Sequence, residues 1–576
     1  MRQLATDLKP YRKQLIIGPL FKLAEALLEL TLPVLMAKLI DVGVKENDPD
    51  TILRMSGLML LTAGIGYLCA LICQHAASIA SQGYGTLLRN RLFAKIASFS
   101  HAELDRFPAS SLANRVTNDV NQLQLAVAMF IRLALRGPFL CIGGIIAAML
   151  IDVKLALIVV ASIPVFAVAL FLIITQAVRL YQLVQKKLDA LSVVISENLS
   201  GVRIIRAFAR RQGERNRFDA VNTEHADASY IVSRLASLSN PLTTLIMNAA
   251  VLLILRIGGD QIQIGELEQG EVIAFVSYMS QILLALIVIT NLVVLFTRAL
   301  ASAKRVSEVL AVTPSLSDSA TVRPFPHGKA SVEFDHVTFS YGGGDPALEN
   351  VSFRLEPGQT AGVLGLTGSG KSTLVSLLSR FYDTSGGAVR IGGTDVRSFA
   401  QTELRKSIAV VPQKTTLFSG TVAENLRLGG QNATDEELWT AARAAQAAEF
   451  LERLDDGLAH RVERGGANLS GGQRQRLSIA RALAAKPSLL ILDDAASALD
   501  YATEARLRQA LRDWQQKENL TVFIISQRAS SVRHADKILV LDDGRLLAQG
   551  THEELLSSCP LYAEICRSQE EGGKSE

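Results

Sequence analysis

The run Gly365-Leu366-Thr367-Gly368-Ser369-Gly370-Lys371-Ser372-Thr373 places three glycines, a lysine and several hydroxyls in one short loop. An apolar stretch, Thr360-Ala-Gly-Val-Leu, precedes it, and Leu374-Val-Ser-Leu-Leu begins a helical pattern after it. Residues without side chains let backbone N–H groups wrap phosphates, and the helix N-terminus adds positive potential. Lys371 is suited to neutralise phosphate charge, and the Ser372 hydroxyl to ligate magnesium. ATP and magnesium are therefore the expected cofactors. Further on, Leu489-Leu-Ile-Leu-Asp493-Asp494 reads as a strand buried in a parallel sheet and ending in acids. Asp493, at its carboxyl end, is placed to hold the magnesium ion.

Leu469-Ser470-Gly471-Gly472-Gln473-Arg-Gln-Arg precedes a helical run. With it the chain resembles the ATP-binding cassette (ABC) family specifically, from about Ser331 onward. The resemblance assigns Tyr341 to adenine stacking, Gln413 in Val-Pro-Gln to magnesium and the attacking water, and Ser497-Ala-Leu-Asp500 to a loop at a dimer interface. It also implies that two cassettes close head to tail, so that Ser470–Gln473 caps ATP held by the other cassette.

The catalytic positions depart from the family pattern. Asp494 stands where the family usually has Glu, the general base for the attacking water. Its side chain is shorter by one carbon–carbon bond, about 1.5 Å, and a general base must come within roughly 2.6–3.2 Å of its proton or act through a water. Gln527 occupies the position of the switch histidine; it can hydrogen-bond a γ-phosphate but cannot become cationic. Val462-Glu463-Arg464-Gly465-Gly466 replaces the usual Val-Gly-Glu-Arg-Gly. Together these resemble the degenerate half of a heterodimeric bacterial exporter, often a multidrug pump. The implied partner is a second half-exporter with a complete catalytic site. A homodimer with two slow sites is the alternative.

The elements that must position these residues fall into two kinds. From Ser331 onward, strand and helix patterns alternate, the signature of an α/β domain. Val332, Phe334, Val337 and Phe339 suggest a strand with one break of register. Residues 313–330 read as a linker, with turn chemistry in Thr313-Pro-Ser-Leu-Ser-Asp-Ser and Arg323-Pro-Phe-Pro-His-Gly. Residues 1–312 hold six stretches long enough to cross a bilayer, near Leu15–Ile40, Ile52–Ala80, Leu125–Ile151, Leu155–Val178, Leu242–Ile257 and Val272–Leu295. The fold class is thus a membrane α-helical bundle of exporter type fused to an α/β phosphate-loop domain.

The short connections hold few cations, whereas Ser81–Gln124 and Arg179–Pro241 are long and basic. The positive-inside rule puts both long connections and both termini in the cytoplasm, with the plasma membrane as the expected location. The long connections keep helical patterning and are expected to turn near Leu104–Ser111 and Arg210–Arg217. Ser111-Leu-Ala-Asn-Arg-Val-Thr-Asn-Asp-Val and Asn198-Leu-Ser-Gly-Val-Arg-Ile-Ile-Arg-Ala-Phe resemble exporter cytoplasmic loops. By that resemblance the crossing segments transmit closure of the cassettes, and the cargo is an amphiphilic small molecule.

Lys22, Glu25 and Glu29 in the first stretch and Arg132 and Arg136 in the third are costly in lipid and face a bundle interior or cavity. They read either as a polar patch in the substrate path, with Glu25 and Glu29 selecting cations, or as mutual ion pairs. The 576 residues carry a net charge of +4, too balanced for nucleic acid as the main partner. Cys69, Cys73, Cys141, Cys559 and Cys566 read as small buried apolar residues, not as disulfides or metal ligands. The basic start leads into an apolar run too long for a cleavable signal, hence an uncleaved first span. The spans exclude a soluble DNA-repair ATPase. An ATP-gated channel of the same family usually carries two halves and extra regulatory segments.

Overall fold

A computed structural model of the chain describes residues 2–318, 322–326 and 330–572. The chain divides into two compact units, one of Met1–Ala97 with Ala109–Val312, the other of Ser98–Pro108 with Thr313–Glu576. The short segment 98–108 thus folds with the second unit, although the surrounding chain belongs to the first.

The first unit is built from long helices: α1 (Arg12–Lys38), α2 (Pro49–Ala97), α3 (Ala109–Ile151), α4 (Val153–Ser200), α5 (Arg211–Gln263) and α6 (Gln269–Ala311). In lipid every backbone polar group needs an internal partner, which a helix provides. Among the described residues, α2 to α6 are long and apolar enough to cross a membrane by length and composition. Helix α1 has the length, at 27 residues, but Lys22, Glu25 and Glu29 interrupt its apolar run. At 49 residues, α2 is about 73 Å long. That is more than twice a hydrocarbon core of about 30 Å, so a large part of it must project beyond the lipid.

Helix α6 supplies much of this unit's core, with Phe275, Tyr278 and Ile282 fully buried. The Tyr278 hydroxyl donates to the Leu30 carbonyl at 2.8 Å, which satisfies its polar end without water. Helix α3 contains two π-helical turns, Arg115–Asp119 and Phe130–Ala134. At the first, buried Asp119 accepts from Ser302 Oγ and Arg305 Nε, both at 2.9 Å. This ties α3 to α6 through a charged group that would be destabilising if left unpaired.

Both reversals come earlier than the sequence suggests. The first is a short helix, His101–Arg106, and the second Val202–Ala207. Ser100 and Glu103 form a capping box that starts the first one ahead of Leu104. Gly201 ends α4 with its N–H on the Glu197 carbonyl at 2.7 Å, ahead of the expected turn at Arg210. Of the linker, Ser319–Thr321 and His327–Lys329 lie outside the described residues; Arg323 bridges to Phe399.

In the second unit the main strands are β1 (Val332–Ser340), β2 (Pro346–Leu355), β3 (Thr360–Leu364), β4 (Gly386–Ile391), β5 (Ile408–Val411), β6 (Leu489–Asp493), β7 (Thr521–Ser526), β8 (Lys537–Asp542) and β9 (Arg545–Gly550). One sheet runs β2-β1-β4 and is antiparallel; β1 shifts register with β2 between Phe334 and Val337, at the expected place, and twice more between Val337 and Ser340, against the single break the sequence suggests. The other runs β9-β8-β3-β7-β6-β5 and is parallel apart from the β9 edge. Its central strands are buried on both faces, as a parallel sheet requires. Helix α7 (Lys371–Leu378) follows β3, α8 (Gly471–Ala484) precedes β6, α9 (Tyr501–Glu518) precedes β7, and α10 (Pro560–Gly572) ends the described chain.

Candidate active site

Parallel pairing decides where the site lies. Leu364 of β3 is in register with Ser526 of β7, Ile525 with Asp493 of β6, and Leu492 with Val411 of β5. Four strands therefore end side by side, and the residues just beyond them meet at one edge. Ligands of open α/β sheets bind at such carboxyl ends. A cavity of about 410 Å³ opens here, lined among others by Tyr341, Lys371, Gln413, Asp493, Asp494 and Gln527.

The phosphate loop takes backbone conformations that demand glycine. Gly368 and Gly370 have φ of +87° and +96°, which side chains rarely adopt. A Cβ on Gly370 would also stand 2.6 Å from a Leu348 methyl and 2.8 Å from the Ala347 carbonyl oxygen. Lys371 Nζ donates to the carbonyls of Gly365 at 2.8 Å and Leu366 at 2.6 Å. Burial pushes the Lys371 ammonium pKa down, opposed by Asp493 and Asp494. Burial and the Asp494 charge push Asp493 up, opposed by Lys371. Each group is thus short of compensating charge, as expected of a cradle for a polyanion and its counter-ion. Asp494 has φ of +49°, and its Oδ2 accepts from Gln413 Nε2 at 3.3 Å. The Tyr341 hydroxyl donates to Thr373 Oγ1 at 3.2 Å, close above the loop.

This donor set fits magnesium and a nucleotide triphosphate. Among the described residues no group of three His, Cys, Asp or Glu could hold a metal by itself. One hydroxyl (Ser372), one carboxylate (Asp493) and one amide (Gln413) suit an ion that keeps waters and takes phosphate oxygens. Bound there, magnesium would neutralise charge on the β- and γ-phosphates.

The candidate residues do not all converge. Thr367, Gly368, Gly370, Lys371, Ser372 and Thr373 line the cavity, with Gly365 and Ser369 in the same loop. Ser470, Gly471, Gly472, Gln473 and Asp500 do not line it. Ser470 instead caps α8: its Oγ accepts from Gln473 N–H at 3.3 Å, and its own N–H donates to Gln473 Oε1 at 2.8 Å. Asp500 caps α9 through Thr503 N–H at 2.7 Å.

Contacts made by Gln569, Tyr382 and His101 at the site have no signal in the sequence. Gln569 on α10 reaches the switch segment, donating from Nε2 to the Gln527 carbonyl at 2.9 Å and accepting from Ala529 N–H at 2.8 Å. Tyr382 packs edge-on against Tyr341 at 5.3 Å and donates to Asp105, while His101 stacks on Phe381 at 4.1 Å. Burial, then the Asp105 acceptor, push the Tyr382 pKa up.

The family described as ABC transporter transmembrane region matches residues 15–286, and that described as ABC transporter matches 348–497. An uncharacterized ABC transporter ATP-binding protein of Mycobacterium tuberculosis is 40% identical over 572 residues, covering 98% of this chain and 97% of the relative. The chain belongs to the ABC transporter family. An ATP-dependent lipid A-core flippase of Chromobacterium violaceum is 33% identical over 569 residues, covering 98% of this chain and 96% of the relative. A solved bacterial Atm1-family ABC exporter with ATP bound has the same fold, with a TM-score of 0.80 at 24% identity, over 97% of this chain and 98% of that one. This ABC transporter half is a multi-pass membrane protein whose cassette couples ATP to transport.

Gln569 gives the transporter's cassette a testable tie. Net hydrogen-bond contributions are about 0.5–1.5 kcal/mol each. Gln569→Ala is therefore expected to lower ATP affinity at this cassette a few-fold and to shift melting measured with ATP more than melting without it. Gln569→Glu keeps the acceptor for Ala529 and should fall between. Equal shifts in both conditions would make the tie purely structural.

Proposed function

We propose that this chain is one subunit of a heterodimeric exporter in the plasma membrane, moving amphiphilic small molecules with ATP. Helices α1 to α6 are its six spans, residues 313–330 the linker and 331–576 the cassette; both termini are cytoplasmic. The observation that carries the heterodimer is the pairing of an intact phosphate cradle with Asp494 and Gln527 at the positions meant to activate water. The cassette holds ATP and magnesium through Tyr341, Lys371, Ser372, Gln413 and Asp493. It hydrolyses slowly, because the Asp494 carboxylate is short and already accepts from Gln413. Ser470 to Gln473, outside this cavity and on an exposed helix start, complete the partner's faster site. Asp500 lies in the loop at that interface, and the segments 101–106 and 202–207 carry cassette closure to the spans.

The name of the Chromobacterium relative makes lipids the first substrate class to test. The deciding experiment purifies the tagged chain from its own membranes and measures ATP-dependent uptake into inverted vesicles. A second half-exporter with Glu and His at the two altered positions should co-purify. Recovery of an active homodimer would overturn the pairing, and uptake of no amphiphile would overturn export.

A further inference from the structure

Five ionisable residues lie deep in α1 and α3, and their pairing is unequal. Lys22 holds Glu25 at 2.7 Å, and Arg136 holds Glu29 at 2.6 Å. These ion pairs leave Glu25 and Glu29 no free charge with which to select a cation. They are also the only carboxylates in the six apolar stretches. Arg132 is left over: among the described residues it has no ion pair, and its Nε, like that of Arg136, is buried with no hydrogen-bond partner. It sits on the π-helical turn Phe130–Ala134 of α3, a distortion frequent at functional sites. That turn packs on α1, where Gly18 leaves no room for a Cβ against Ile131.

Depth and surroundings narrow the missing anion. The final 16 residues of α3, from Arg136 to Ile151, rise about 24 Å. Lys22 likewise lies about 24 Å from Lys38 along α1. Taken from the outer ends of these helices, both are near the far edge of a hydrocarbon core of about 30 Å, at the level of inner-leaflet headgroups. Leu20, Leu27, Phe130 and Leu135 around them stay exposed. A guanidinium in that setting needs an anion, and the apolar surface beside it suits a chain attached to that anion.

We propose that Arg132, with the paired cations Lys22 and Arg136 beside it, binds the phosphate or carboxylate headgroup of the exported amphiphile. The inference rests on the export reading and makes its substrate class anionic.

The test uses the purified transporter with its partner and three amphiphiles of equal chain: dodecyl phosphate, dodecylphosphocholine and dodecyltrimethylammonium. Dodecyl phosphate should bind most tightly, and inorganic phosphate at equal concentration should not displace it. Charge-assisted hydrogen bonds contribute about 1.5–3 kcal/mol, so Arg132→Gln should weaken dodecyl phosphate binding about tenfold or more, weaken the choline compound, whose phosphodiester carries a single charge beside a cation, by less, and leave the ammonium compound unchanged. Arg132→Lys should restore most of it. Tighter binding of the ammonium compound by the unaltered protein, or displacement by inorganic phosphate, would overturn the proposal without any variant. Loss of the co-purifying partner from Arg132→Gln would assign Arg132 to a partner carboxylate and overturn it as well. Absence of uptake with every amphiphile would sink export itself, while the binding comparison would still decide the anion site.

Discussion

Ser470→Ala is expected to lower ATP turnover of the assembled transporter by about 10²–10³, because losing one donor to transition-state charge costs about 2.7–4 kcal/mol. The Ser470 hydroxyl has one proton and two lone pairs. One lone pair already accepts from Gln473 N–H, so under the proposed head-to-tail pairing the proton remains free for a γ-phosphate oxygen of the partner's ATP. Alanine removes both the contact and the helix cap. Asp494→Asn should have a far smaller effect, since it alters a base that is short and engaged by Gln413. Steady-state ATPase of the two variants in the complex decides the matter. If Asp494→Asn abolished turnover as fully as Ser470→Ala, Asp494 would be a working base and the asymmetry would be gone.

The chain purified without its partner should bind ATP and turn it over at least about 10² more slowly than the complex. General-base catalysis contributes about 10²–10⁴, and a carboxylate withdrawn by about 1.5 Å forfeits much of it. Retained binding follows from the cradle: Gly368 and Gly370 have the required backbone, and Lys371 stands in the cavity with Ser372 and Asp493. Equilibrium nucleotide binding and single-turnover hydrolysis separate the two properties. Turnover by the lone chain at the rate of the complex would rule out the heterodimer.

Much of this site is legible in sequence because each part follows a strand. The phosphate loop, Gln413, Asp494 and Gln527 come directly after β3, β5, β6 and β7, or one residue on. Parallel register then brings them together without further information. The Lys22–Glu25 pair is legible for a similar reason, since its partners are one helical turn apart. Gln569, Tyr382 and Asp105 were not, because their contacts join residues far apart in the chain and no local pattern encodes them. The early reversals at His101 and Val202 were set by local caps, Ser100 with Glu103 and Gly201, that the apolar pattern does not report. The π-helical turn around Arg132 leaves no mark on composition either.

The folding of segment 98–108 into the second unit has a consequence for biosynthesis. Asp105 and Tyr382 are 277 positions apart. At about 5–20 residues per second, Asp105 leaves the ribosome roughly 14–55 s before its partner exists. Throughout that interval the faces of His101 and Asp105 that meet Phe381 and Tyr382 have nothing to bind, while the helices on either side are already entering the membrane. The loop must wait open until the chain has been made through Phe381 and Tyr382, so nascent chains should be open to proteases at residues 98–108.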